Sequence, residues 1–287
     1  MVVPAILFII LFSYVPMYGV LMAFQDYDIF KGFASSPWAG FKHFEALFHA
    51  PEFPLIMRNT ICISLFKLLV GFPAPILLAL LLNEVLKLKF KKVIQTVSYL
   101  PHFLSWVIVG GFIGSLLSTD NGSVNMALQA LKVIDDPINF LAQPDAFWSI
   151  LVATNVWKDM GFASIVYLAA IAGVDPGLYE AASIDGAGKL RQVFSVTLPS
   201  IMPVIIIYLI LDVGNLLNAG FEDILQLGHN PVLRDVSEVV DTYVYRTGLQ
   251  SYRYSYATAA GLFKSVISVG LMIGVNALAR KTDNSLW

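Results

Sequence analysis

Six apolar runs divide the chain, near 2–24, 60–82, 97–117, 148–172, 200–221 and 254–279, and each approaches the length a helix needs to cross a bilayer. A helix rises only ~1.5 Å per residue, so a hydrocarbon core ~30 Å thick calls for ~20 apolar residues in succession. Composition agrees: 57% of the 287 residues are hydrophobic and 13% charged, with a mean hydropathy of +0.72. That is about half the charge of an ordinary soluble domain, which carries ~25%. The expected fold is an all-α integral membrane protein with about six transmembrane helices. No linker, fixed-period repeat or low-complexity stretch divides it, so 1–287 reads as a single domain.

Six spans place both termini on one side of the bilayer, and basic residues decide which side, because they resist translocation. The segments 83–96, 173–199 and 280–287 carry eight Lys and Arg, against seven in the much longer segments 26–58, 118–147 and 222–253. The first set is therefore expected in the cytoplasm, with Lys87, Lys89, Lys91 and Lys92 supplying most of the bias. The external segments contain turn formers such as Asp120-Asn121-Gly122 and Gly228-His229-Asn230-Pro231. They read as structured surfaces on which an external partner docks. The opening MVVPAILFII has neither a basic flank nor a small-residue cleavage site, so the first run reads as a retained helix, with a native leading segment expected ahead of it.

The richest local chemistry lies at 173–203, GVDPGLYEAASIDGAGKLRQVFSVTLPSIMP. Asp175 suits an N-cap and Pro176 the first helical position, where a missing N–H costs nothing. Leu178 to Ala182 continue that helix, Gly186 and Gly188 permit a bend, and Lys189 to Phe194 resume a helical pattern. Glu180-Ala181-Ala182, Gly186, then Val196, Leu198-Pro199 reproduce at matching spacing the hallmark of inner-membrane permeases of binding-protein-dependent importers, with Val196 standing where the family has Ile. Asp185-Gly186-Ala187, Phe194 and Pro203 extend the match to the form common in sugar permeases. The chain further resembles the oligosaccharide and polysaccharide branch through YVPMYGVLMAF at 14–24, LLALLLNEV at 77–85, YLPHFLSW at 99–106, SEVVDTYVYRTGL at 237–249 and the terminal SLW.

The resemblance implies a type I ABC importer permease fold in which 173–199 is a cytoplasmic coupling helix. Glu180, Ala181, Ala182, Asp185, Gly186, Leu198 and Pro199 would carry its contact with an ATPase. It implies one of two homologous permease subunits in a bacterial inner membrane, two ATPase subunits that bind ATP and Mg, and an extracytoplasmic solute-binding protein. The cargo would be an oligosaccharide or polysaccharide, uronic-acid-rich chains such as alginate among the candidates. Residue chemistry is compatible: Ala181 and Ala182 leave room for close packing in a groove, and Glu180 can meet a basic partner. The plainer reading of this helix is an amphipathic element on the lipid headgroups.

Other chemistries are excluded or left bare. Gly186-Ala187-Gly188-Lys189 is not a phosphate loop, which would need Gly at 183 and Ser or Thr at 190, where Ser183 and Leu190 stand. His43, His49, His102 and His229 are scattered, so no metal site is assigned. The lone Cys62 lies in an apolar run and reads as a small hydrophobe. A net charge of −2 without a basic stripe argues against nucleic acid. No clustered catalytic set marks an enzyme, and no cofactor is expected on this chain.

Lys67, Lys158, Asp159, Asp212 and Lys264 fall within the expected spans. Facing lipid would cost each about 2.5–3.5 kcal/mol, so they should point to the interior, a cavity or an interface. Lys67, Trp157, Lys158, Asp212, Asn215, Asn218 and Lys264 are the candidate substrate pathway, since a sugar needs hydrogen-bonding groups and flat apolar faces. Mutual pairing and helix–helix contacts are the plainer roles for the same residues. With three lysines against two aspartates, the spans are expected to hold one surplus positive charge. The rival reading is a secondary transporter whose Lys and Asp residues couple cargo to an ion gradient.

Overall fold

The computed structural model describes residues 2–280. Lys281 and the terminal Ser285-Leu286-Trp287, used above, lie outside the described residues. Among the described residues the chain is helical, with one isolated bridge between Gln25 and Trp38.

The principal helices are α1 (Val3–Phe24), α2 (Lys42–Phe48), α3 (Phe53–Glu84), α4 (Leu88–Phe103), α5 (Trp106–Leu116), α6 (Ser123–Ala130), α7 (Pro144–Ala172), α8 (Pro176–Ile184), α9 (Lys189–Gly214), α10 (Glu222–Leu227), α11 (Val240–Tyr245) and α12 (Tyr254–Ala279). Four of them, α1, α3, α9 and α12, are long and apolar enough to span a membrane as they stand. Two bent pairs, α4 with α5 and α7 with α8, raise the number to six. The central element is α7, which packs on α3, α4, α9 and α10, while α12 packs on α1, α2, α9 and α11.

Apolar side chains cover the outside as well as the inside. No residue in the most apolar window of α1 is buried, and Phe8, Phe12, Leu69, Leu81 and Val266 are exposed on three helices. In water such a surface would be prohibitive at roughly 25 cal/mol per Å², whereas acyl chains accept it. Inside, Ile63, Phe147, Leu151, Ile224 and Leu227 form one core toward the start of α7. Ala79, Leu80, Tyr167, Ile171, Ile201 and Ile205 form another toward its end.

Two boundaries depart from the expectation. The run 97–117 is not one span: helix begins at Leu88 and turns by 107° between α4 and α5. Pro101 cannot donate to the preceding turn, and Ser105 caps the new helix by accepting from Ile108 N–H at 3.4 Å. The Lys158 ammonium on α7 donates to the freed His102 carbonyl at 2.7 Å. The run 200–221 is corrected at both ends, since α9 begins at Lys189 and stops at Gly214. Asn215 bonds back to the Leu211 carbonyl at 3.1 Å through both its backbone and side-chain nitrogens. Residues 215–221 then form a turn, and α10 folds inward against α5 and α7 and buries Asp223, Ile224 and Leu227.

Candidate functional site

At one end of the bundle, α8 leaves α7 at 71°. The Asp175 carboxylate accepts from Gly177 N–H at 2.9 Å and fixes the start of α8. Its end is a left-handed turn: Gly186 has φ +76°, and the amides of Asp185, Gly186 and Ala187 bond back to carbonyls of Ala181, Ser183 and Ala182. A side chain at Gly186 would meet nothing within 4 Å, so its backbone conformation, not crowding, calls for glycine.

The segment is tied to the bundle by few bonds. The Tyr179 and Thr197 hydroxyls lie 3.0 Å apart, Gln192 donates to Ser183 at 2.8 Å, and Lys189 pairs with Glu84 at 3.5 Å. Val193 to Thr197 form a wide π-turn before Leu198-Pro199, the relaxation expected where proline interrupts the helical ladder. Leu198 packs on the core around Ile171 and Ile201, and Pro199 is exposed. Glu180, Ala181 and Asp185 are exposed beside Ile184 at 87%, Leu190 at 77% and Phe194 at 68%. A polar and apolar face of this kind at the end of a bundle suits a protein partner.

The second constellation centres on Asn218. One crevice of about 210 Å³ is lined by Ser64, Lys67, Asp212, Asn215 and Asn218. A larger cavity of about 740 Å³ is lined by Asn218, Phe221, Asp241, Tyr245, Tyr254 and Lys264, among others. The structure thus gathers five of the seven pathway candidates, Lys67, Asp212, Asn215, Asn218 and Lys264, around two adjoining spaces. Trp157 and Lys158 line neither. Trp157 stacks on Phe112 at 5.9 Å, and Lys158, 6% exposed, holds the α4–α5 break while Asp159 accepts from His102 at 2.8 Å.

The lysines are not surplus charges, which corrects the charge count within the spans. Lys67 pairs with Asp223 and also donates to the Ala219 carbonyl at 2.6 Å; Asn155 donates to the same carboxylate at 2.7 Å. Lys264 pairs with Asp241 and reaches Asn218 at 3.2 Å. Both carboxylates come from the segment assigned to the outer face, so a count confined to the spans missed them. The turn leading to Asp223 requires Gly220: its φ is +110°, and a Cβ there would run into Asp223 and come within 2.7 Å of the Lys67 nitrogen.

Outside the spans, Arg246 bonds Glu238 at 2.5 Å and Glu52 at 3.2 Å, and Arg234 bonds Glu238 at 3.3 Å. Burial works against the Arg246 charge, but the hydrogen bond and charge of Glu238, then those of Glu52, outweigh it and hold the guanidinium pKa above its usual value. This network ties the start of α3 to α11 and gives this end of the bundle a fixed shape. Among the described residues no group of His, Cys, Asp and Glu is placed to hold a metal.

Residues 71–284 match the binding-protein-dependent transport system inner membrane component family. The chain belongs to this family. The match takes in the whole of α8 and its turn, Asp212, Asn215, Asn218 and Lys264, while Lys67 precedes it. The chain is 46% identical over 281 residues to the polygalacturonan/rhamnogalacturonan transport system permease protein YteP of Bacillus subtilis (strain 168), covering 98% of this chain and 87% of that relative. It is 44% identical to Protein LplB of the same organism, covering 99% and 88%. Among solved structures it superposes with a TM-score of 0.90 and 42% identity on a chain of a bacterial ABC transporter involved in import of the acidic polysaccharide alginate, covering 98% and 94%. A second structure, the alginate transporter in complex with an alginate pentasaccharide-bound periplasmic protein, gives 0.91 and 41%. The type I permease fold matches that of the alginate transporter, and the ion-coupled alternative finds no support.

Proposed function

We propose that this chain is one of two homologous permease subunits of an ATP-driven importer in a bacterial inner membrane, and that its cargo is an oligosaccharide or polysaccharide, including uronic-acid-rich chains. The observation that carries the reading is the 173–199 segment. A capped helix, a glycine turn and a π-turn into Leu198-Pro199 present an exposed face at the end of the bundle, at the family's spacing. In this reading Glu180, Ala181, Ala182, Asp185 and Gly186 meet a separate ATPase subunit that binds ATP and Mg, and Leu198 and Pro199 pass its movement into α9. The chain itself performs no covalent chemistry. An external solute-binding protein docks on the outer loops and delivers cargo toward the spaces around Asn218.

The saccharide reading is supported by the polygalacturonan/rhamnogalacturonan permease and the alginate transporter to which this chain is similar. The cavity offers the matching chemistry, with Phe221, Tyr245 and Tyr254 beside Asn218, Asp241 and Lys264. The test is uptake into vesicles holding this chain with its partner permease, ATPases and binding protein. Uptake of a labelled oligogalacturonide should require internal ATP and survive collapse of ion gradients. Uptake that ignores ATP and stops with the gradient would refute it.

A further inference from the structure

We propose that the start of α4 is a binding site for anionic phospholipid of the leaflet next to the coupling segment. Lys87, Lys89, Lys91 and Lys92 lie within six positions, and among the described residues none of them has an acidic partner. The nearby carboxylate of Glu84 is engaged by Lys189 at 3.5 Å. Four cations in a short stretch repel one another unless an outside anion lies among them.

Apolar side chains alternate with these lysines. Leu86 is 90% exposed, Leu88 72%, Phe90 58%, Val93 59% and Val97 66%. Phe90, Val93 and Val97 follow helical spacing and form one outward stripe, while Ile94, Gln95 and Ser98 turn toward the bundle, where α4 packs on α7. Lys87, Lys89 and Lys92 are exposed, while Lys91 is half-buried on the side of Ile94 and Gln95. Headgroup phosphates meet the exposed lysines and acyl chains meet the stripe, which is the complement an anionic lipid offers and a soluble acidic protein does not. The Glu84–Lys189 pair places this surface beside the coupling segment, so lipid bound here adjoins the element proposed to move. The assignment of the leaflet to the cytoplasm rests on the proposed orientation; the lipid contact does not.

The test is native mass spectrometry of the assembled transporter, counting retained phosphatidylglycerol and phosphatidylcholine in wild type and in a K87Q/K89Q/K91Q/K92Q variant. Wild type should retain phosphatidylglycerol in preference, and the variant should lose that excess by about twofold or more while its phosphatidylcholine is unchanged. An all-arginine variant at the four positions should keep the preference. Labelling of a cysteine at position 189 checks insertion, and if the quadruple variant inverts, K89Q/K92Q is used and should lose part of the excess. Equal lipid retention by wild type and variant overturns the proposal. So does loss of the ATPase subunit with lipid preference intact, which would make the surface a protein contact. Because lipid retention is counted without transport, failure of the importer reading would leave this result standing on its own.

Discussion

Lys67 on α3 and the buried Asp223 on α10, 156 positions apart, form a part-buried ion pair that Asn155 on α7 completes. Three elements far apart in sequence are thereby tied together at one point of the membrane domain. Lys67 is partly open to the crevice, so removing it costs less than the about 3–5 kcal/mol of breaking a fully buried pair, yet it leaves the buried Asp223 carboxylate without its counter-charge, whereas replacing both partners by apolar residues is often neutral. Lys67→Met should therefore lower the unfolding temperature of the detergent-solubilised chain markedly, and Lys67→Met with Asp223→Leu should recover most of the loss. A single variant that melts like wild type would show that the pair holds nothing together.

The turn at Gly186 makes a separate prediction about coupling. With φ at +76° and open space around it, Gly186→Leu strains the backbone by about 1–2 kcal/mol without a clash inside the chain. The bundle should melt normally while ATP hydrolysis in the full assembly loses its dependence on cargo-loaded binding protein, or the ATPase fails to co-purify. Normal assembly and normal cargo-stimulated hydrolysis would remove 173–199 from the coupling path.

Topology is open to direct labelling. In a Cys62→Ser background, cysteines at 89 and 189 should resist an impermeant maleimide added to cells with a permeable outer barrier, and cysteines at 135 and 235 should react. Reaction of position 189 from outside would reverse the orientation.

The residues that were legible in the sequence are those whose chemistry is local. Asp175, Pro176 and Gly186 specify their cap and turn through their own backbone, and the structure forms helix, break and helix there. Hydropathy located four of the six runs for a similar reason, since their apolar faces answer to lipid, but it misplaced 97–117 and 200–221. What escaped is non-local. Pro101 gave a visible sign of the α4–α5 break, but the 107° turn depends on Lys158 reaching across from α7. Asp223 and Asp241 read as loop residues because nothing within the outer segment reveals that α10 and α11 pack onto the spans. Three intramembrane lysines against two carboxylates were the available sign that acids from elsewhere must fold in.

Those paired lysines also decide what cargo charge should matter. Were Lys264 a free cation, its loss would weaken uptake of a uronate oligosaccharide by removing an attraction, and neutralising Asp241 as well would not help. In the structure Lys264 already balances Asp241, so Lys264→Met leaves a lone negative charge on the wall of the cavity. A carboxylate passing at ~8 Å in an effective dielectric of ~20 meets about 2 kcal/mol of repulsion, worth tenfold or more in rate. Uronate uptake by reconstituted Lys264→Met transporter should fall by about that factor relative to a neutral oligosaccharide of equal length. The double variant Lys264→Met with Asp241→Asn should regain most of it, because the charge balance is restored. Recovery in the double variant separates the two accounts: persistent selective loss there would mean that Lys264 attracts the cargo directly, and equal uptake of both sugars by the single variant would place this pair outside the cargo's route.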